Sequence, residues 1–292
     1  MDVLPLVLVT AVTVGAMYAL ATLGLSLVWG AMGMLNMAHG AMLTLGGYAA
    51  YAAVTGAGMP WPLGLVAAVI VGGIFGIFLY MGLVRFMLGS PAFETNIIIA
   101  TVGIAIALEN VILLIFGGQP FGQPVSMDGA FRLGPATVPY QNVLIVVISI
   151  AIMGLVAWVL KTSRIGRAIR ATAQNREAAR LMGVPTRKVY LQVLAISGGL
   201  AGISGVLLSS ITQLSPPLGN DPMLKAFIMC VVAGLGNVPG SVLAAFVLAF
   251  VEAGTQFYLG ARWGLPVLLM LVILALIWRP YGVFGRAQVR RL

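Results

Sequence analysis

Few residues in this 292-residue chain could do chemistry. It has one histidine, His39, one cysteine, Cys230, and seven acids scattered singly. No close carboxylate pair is visible for acid–base work. There is no Gly-Lys dipeptide, so a Gly-Lys-Ser/Thr phosphate loop cannot form, and there is no HExxH. Catalytic residues, metal ligands and a bound cofactor are therefore not expected. Cys230 lies in an apolar segment and reads as a small buried hydrophobe. With a single cysteine, no internal disulfide can form.

The polar residues that remain sit in apolar surroundings. GAMGMLNMAHG, Gly30 to Gly40, places Asn36 and His39 among glycines between two apolar blocks. LGNDPMLKAFIMCVVAGLGNVPG, Leu218 to Gly240, carries Pro222 and Lys225 at one end and Gly234, Gly236, Asn237, Pro239 and Gly240 at the other. The apolar part between is too short to span a membrane comfortably. Irregular backbone at membrane depth is tolerated only when buried in protein or lining a cavity. Paired Gly/Pro-interrupted segments in two halves of a chain point to a transport pathway. Two plain loops at the membrane surface are the competing reading. Glu109 and Glu252 lie within apolar blocks, where charge faces a bundle interior or aqueous cavity unless it reaches the headgroups. Asn36, His39, Glu109, Lys225 and Glu252 are thus the pathway candidates, although a residue like His39 is more often a hydrogen-bonded structural residue than a ligand.

A second feature is electrostatic. Eight of the sixteen Lys and Arg residues fall between Lys161 and Lys188, with Glu177 the one acid among them. Ser163 or Thr162 can cap a helix to about Ala173, and Asn175 a second from Arg176 to Met182. Gly183 supplies a left-handed stop and Pro185 prevents continuation. Helices this short are unstable alone in water and must dock on something. Anionic lipid would suit the arginines. Nucleic acid is disfavoured because no aromatic in the window could stack on bases. The compact small-residue face of EAARLMG fits a soluble protein best.

The elements that position these residues follow from composition. The chain is 61% hydrophobic and 8% charged, against about 45–50% and 25% in soluble domains. No Asp, Glu, Lys or Arg occurs between Asp2 and Arg85, whereas one membrane span needs roughly 20 residues. The segments are too long for the roughly ten-residue strands of a membrane barrel. An all-α polytopic membrane protein is expected. Apolar blocks near 4–29, 40–55, 61–84, 95–116, 141–160, 189–212, 224–236, 240–259 and 264–278 give eight to nine transmembrane segments, the shortest being interrupted or re-entrant. Asp2 is the only charge near the start, so the first block reads as a permanent helix rather than a secretory signal. Alternating nine crossings with the N-terminus outside puts thirteen of the sixteen basic residues in the cytoplasm, including Arg85, the 161–188 loop, Arg279, Arg286, Arg290 and Arg291. That asymmetry, rather than nucleic acid, accounts for the net charge of +9. Trp29, Trp61, Trp158, Trp263 and Trp278 all fall at segment ends, as interfacial anchors do. The loop from Gly117 to Tyr140, with Asp128 and Arg132, is expected to be turns rather than a folded domain. Gly72 with Gly76, and Gly198 with Gly202, have the spacing of close helix packing.

Glu177-Ala178-Ala179 followed by Gly183 resembles the cytoplasmic loop of ABC-importer permeases, although Val184-Pro185 stands where that loop usually continues Leu-Pro. NMAHG at Asn36–Gly40, GGY at Gly46–Tyr48, GRAIRATAQNREAARLMGV and LKAFIMCVVAGLGNVPG resemble the branched-chain amino acid permeases of LivH type over nearly the whole chain. The resemblance implies an ABC importer permease fold, with residues 1–292 one transmembrane permease domain and a coupling loop at 161–188. Arg176, Glu177, Ala178, Ala179 and Gly183 would then contact the ATPase. It implies a second permease subunit, LivM-like or a second copy, two cytoplasmic ATPases that bind the ATP, and a periplasmic or extracellular substrate-binding protein, in the bacterial inner membrane. Branched-chain or related small amino acids are the implied substrates; relatives import amides or urea. The rival readings are a stand-alone secondary transporter or channel using Glu109, Glu252 and Lys225 for ion coupling, and a membrane scaffold without a pathway.

Overall fold

The computed structural model describes residues 4–90, 92–125, 127, 129–133 and 136–285. Asp2, Asp128, Arg286, Arg290 and Arg291 lie outside the described residues, so their expected sidedness is not addressed by it. Seven helices among the described residues are long and apolar enough to cross a membrane. They are α1 (Leu4–Met32), α3 (Trp61–Leu79, prolonged through a π-helical turn and α4, Arg85–Met87), α5 (Phe93–Phe116), α6 (Tyr140–Thr162), α9 (Thr186–Ser209), α11 (Val238–Leu259) and α12 (Gly264–Trp278, preceded by the 3-10 turn Ala261–Trp263). Their ends follow from the sequence. Gly33, Gly117 and Gly260 take positive φ and close α1, α5 and α11. Asn237 caps α11 by accepting from the Gly240 amide.

Two helices are too short to cross alone: α2 (His39–Tyr51, followed by the π-helical turn Ala52–Gly56) and α10 (Asn220–Ala233, preceded by the 3-10 turn Pro216–Gly219). They correspond to the expected blocks 40–55 and 224–236. Each follows an irregular link, 33–38 and 210–215, that returns into the bundle from the end of a long helix. The chain thus makes seven full passages and two composite ones. Residues α1–α2–α3 and α9–α10–α11 repeat the same order of long helix, link, half-helix and long helix. The halves interlock: α1 lies on α9, α11 packs on α1 as α3 packs on α9, and α5 and α12 flank α2 and α10. α1 and α9 are mostly buried, whereas α5, α6 and α12 expose apolar side chains around the outside.

Close approach depends on glycine. A Cβ on Gly72 or Gly198 would overlap the other's carbonyl across the α3–α9 contact. One on Gly46 would overlap the Gly202 backbone between α2 and α9. The expected small-residue pairs therefore serve one interface, with α9 at its centre.

The face holding the α1 N-terminus also holds the Gly117–Tyr140 loop. Within that loop β1 (Ala130–Leu133) and β2 (Ala136–Pro139) form an antiparallel hairpin that turn signals alone did not predict. Gln123 Nε2 donates to the Gly47 carbonyl at 3.2 Å and to Ser209 Oγ at 2.9 Å. Gln141 Nε2 reaches Val125 O and Ser210 Oγ. On the opposite face lie α7 (Arg164–Gln174) and α8 (Arg176–Leu181).

The half-helices meet at Gly40 and Gly219, where either added Cβ would overlap the other's carbonyl. Gly219→Ala should lower thermal stability in detergent by roughly 1–3 kcal/mol through overpacking. Gly154→Ala, where nothing lies within 4 Å, should be neutral or stabilising by up to about 1 kcal/mol from helix propensity. Equal melting temperatures for the two variants would contradict the close crossing.

Candidate functional site

The irregular link 33–38 pairs part of its backbone through Asn36 and Thr101. The Asn36 side-chain carbonyl accepts from the Ala38 amide at 3.2 Å, and the Asn36 backbone carbonyl accepts from His39 N. Met37 N donates to Thr101 Oγ1 of α5 at 3.1 Å. His39 is fully buried. Its Nε2 donates to the Ala21 carbonyl at 3.0 Å, which leaves Nδ1 to accept from Ser197 Oγ at 3.4 Å. Ala21 lies well inside α1 and Ser197 halfway along α9, so the start of α2 sits at mid-depth. The second link is satisfied likewise: Leu214 exchanges both backbone bonds with Phe121, and Gly219 N donates to Thr44 Oγ1 at 3.0 Å. Asn36 and His39 thus bond the start of α2 to the link before it and to α1 and α9.

Lys225 of α10 forms the centre of an ionic cluster. Its Nζ lies 2.6 Å from Glu252 Oε1, 2.7 Å from Asp221 Oδ2 and 3.0 Å from Tyr18 Oη. These three acceptors match the three donors of an ammonium. Glu252 Oε1 also accepts from Gln256 Nε2 at 2.9 Å. Lys225 and Glu252 are buried, whereas Asp221 is exposed. The cluster ties α10 to α1 and α11. Sequence reading singled out Lys225 and Glu252 but missed Tyr18, Asp221 and Gln256. The Lys225–Asp221 spacing of four on a helix was the available signal.

Glu109 stands apart from that cluster. It lines a cleft of about 300 Å³ with Met37, Gly40, Val102, Ala105, Ile106, Asn220, Met223, Leu224 and Phe227. The walls come from α5 and from the first turns of both half-helices. Asn220 Nδ2 points to Glu109 Oε2 at 3.4 Å. Since Asn220 follows Gly219, Glu109 lies at the depth of the half-helix crossing, away from the outer end of the bundle. Of the five pathway candidates, Glu109 lines this cleft, while Asn36, His39, Lys225 and Glu252 make hydrogen bonds or ion pairs around the two half-helices.

On the basic face, Ser163 Oγ caps α7 by accepting from Gly166 N, and Asn175 Oδ1 caps α8 by accepting from Ala178 N, both at 2.9 Å. Gly183 has φ +82°, with Gly183 N bonded to Arg180 O and Val184 N to Ala179 O, a Schellman closure. Ala179 is buried, and the Arg176 guanidinium lies over the Tyr190 ring at 5.3 Å. Ala178 and Glu177 are exposed, and Glu177 has no salt bridge among the described residues. Leu181 and Met182 are 87% and 84% exposed, an apolar pair at the tip that sequence reading passed over.

Breaking a buried ion pair from one side strands a charge, at about 3–5 kcal/mol. Lys225→Met should therefore lower the melting temperature of the purified protein more than the double variant Lys225→Met, Glu252→Leu. Equal or greater loss in the double variant would show that the pair is not the anchor of α10.

The chain was compared with known proteins. Residues 7–276 match the family described as branched-chain amino acid transport system / permease component. A high-affinity branched-chain amino acid transport system permease protein, BraD, of Pseudomonas aeruginosa is 30% identical, with 98% of this chain and 97% of that protein aligned. The LivH permease protein of Escherichia coli K12 is also 30% identical, over 96% of this chain and 95% of its own length. An autoinducer 2 import system permease protein, LsrC, of Salmonella paratyphi B is 27% identical over 68% of this chain and 56% of its own. No solved structure matches. Seven long apolar helices, two half-helices meeting at mid-depth and a family match over nearly the whole length agree: this chain is a multi-pass membrane protein that belongs to the branched-chain amino acid transport permease family.

Proposed function

We propose that the chain is the membrane-spanning permease subunit of an ATP-driven importer for branched-chain or related small amino acids. The observation that carries this reading is the cleft at the half-helix crossing. It opens on the flank of α5, where Val102 and Ile106 are exposed. A cleft open on one side at membrane depth is completed by a second permease subunit facing it. Residues 1–292 act as one permease domain, with the N-terminus outside and the C-terminus in the cytoplasm of a bacterial inner membrane. A substrate-binding protein delivers on the face of the Gly117–Tyr140 loop. Two ATPase subunits bind and hydrolyse ATP on the basic face.

In this reading α8 is the coupling helix. Arg176, Glu177 and Ala178 present its exposed side, Ala179 seats it against the bundle, and Gly183 sets its exit angle. Leu181 and Met182 are the apolar anchors in the ATPase groove, since buried apolar or aromatic anchors dominate protein interfaces. Movement of the ATPases is passed through α7 and α8 to α6 and α9, the helices on either side.

Three outcomes are expected. A periplasm-active reporter inserted at Gly122 should work, and one at Gln174 should not; the reverse would sink the orientation. Leu181→Asp with Met182→Asp should weaken ATPase association by roughly 1–3 kcal/mol, tenfold or more, in a pull-down. Glu177→Arg should also weaken it. Gly183→Val meets no neighbour but must hold a positive φ, at roughly 1 kcal/mol. It should leave protein in the membrane and uncouple substrate-stimulated ATP hydrolysis from uptake in vesicles. Normal ATPase binding and coupled uptake in all these variants would favour a stand-alone transporter.

A further inference from the structure

We propose that Glu109 is the subsite for the ammonium group of the transported amino acid. The proposal rests on the cleft being part of the pathway. Among the described residues, Glu109 is the only ionisable side chain lining the cleft. A carboxylate offers about four acceptor positions. Here its one protein donor among the described residues is the Asn220 amide, at a long 3.4 Å, and it takes part in no salt bridge. Lys225 is the nearest lysine on α10, but it is buried and held by Asp221, Glu252 and Tyr18. It cannot serve Glu109 without breaking that cluster. Glu109 is partly buried beside the half-helix crossing, and its carboxylate has acceptor positions to spare there.

A cationic group on a ligand would reach Glu109 from the open side of the cleft. The other walls, Val102, Ala105, Ile106, Met223, Leu224 and Phe227, are apolar and suit an aliphatic side chain. One carboxylate in an apolar cleft of about 300 Å³ fits a small molecule with a primary ammonium and a branched hydrocarbon chain. Glu109 would act as a waypoint rather than a trap, because its single carboxylate can release the ammonium as readily as it takes it.

The test uses the complete importer, with its ATPases and second permease, in vesicles. Ala105→Cys is placed one helical turn from Glu109, in a Cys230→Ser background so that the reporter thiol is alone. It is modified by a cationic (trimethylammonium) or an anionic (sulfonate) methanethiosulfonate reagent. The cation-to-anion rate ratio, normalised to a free thiol in solution, should be about tenfold or more, as in a cleft carrying one sign of charge. Adding Glu109→Gln should bring it close to unity. Millimolar leucine should slow labelling, whereas 4-methylpentanoate, which lacks the amine, should not. If Ala105→Cys is not modified at all during turnover, the cleft is closed by the partner subunit; the pathway reading fails and this proposal with it. If it is modified but the ratio is unchanged by Glu109→Gln, or both compounds protect equally, the ammonium subsite is refuted and the pathway reading stands.

Discussion

The structure depends on bringing non-helical backbone to the middle of a membrane protein without leaving amides unpaired. Lipid offers no hydrogen bonds, so each free group there costs several kcal/mol. The solution is local and specific. Link 33–38 is closed by its own Asn36, by Thr101 and, through His39, by Ala21 and Ser197. Link 210–215 is closed by Phe121 and the following turn by Thr44. Once those groups are satisfied, two half-helices can begin at mid-depth, and Gly40 and Gly219 let their first turns touch.

This arrangement places the lone polar residues in two different settings. The polar residues deepest in the bundle, Asn36, His39, Lys225 and Glu252, are engaged in holding α2 and α10. Lys225 is held by three acceptors, whereas the buried Glu252 Oε2 has no partner among the described residues. Glu109 differs because it comes from an outer helix, α5, whose neighbours are few on one flank. Its carboxylate is therefore available. The same logic holds on the basic face, where Ala179 and Ile169 are buried against the bundle while Leu181 and Met182 are left free at the tip.

The two functional regions are mechanically joined. α7 and α8 connect directly to α6 and α9, and α9 carries both the glycines that accept α3 and α2 and the serine that holds His39. α9 is thus a continuous physical link between the basic loop and the start of one half-helix. The ionic cluster of Lys225 gives α10 a comparable anchor on α1 and α11. The two halves repeat the same order of elements, and α5 lies against the half-helices that wall the cleft.

Much of this was legible in the sequence, for physical reasons. Charge is so costly in lipid that long charge-free runs marked the spans, and Lys and Arg marked one face. Glycines at 30–40 marked the first broken helix, whereas the second break falls at 210–215, a stretch without glycine or proline that precedes the expected 218–240. Ser163, Asn175 and Gly183 announced the caps of α7 and α8 because capping is a local interaction. The tertiary structure alone decided who meets whom. Tyr18 is 207 residues from Lys225 in the chain, and Ser197 is 158 from His39. No local pattern encodes such pairings. Nor could composition separate Glu109 from Glu252, two lone acids in apolar helices. Packing buried one against a lysine and left the other facing a cleft.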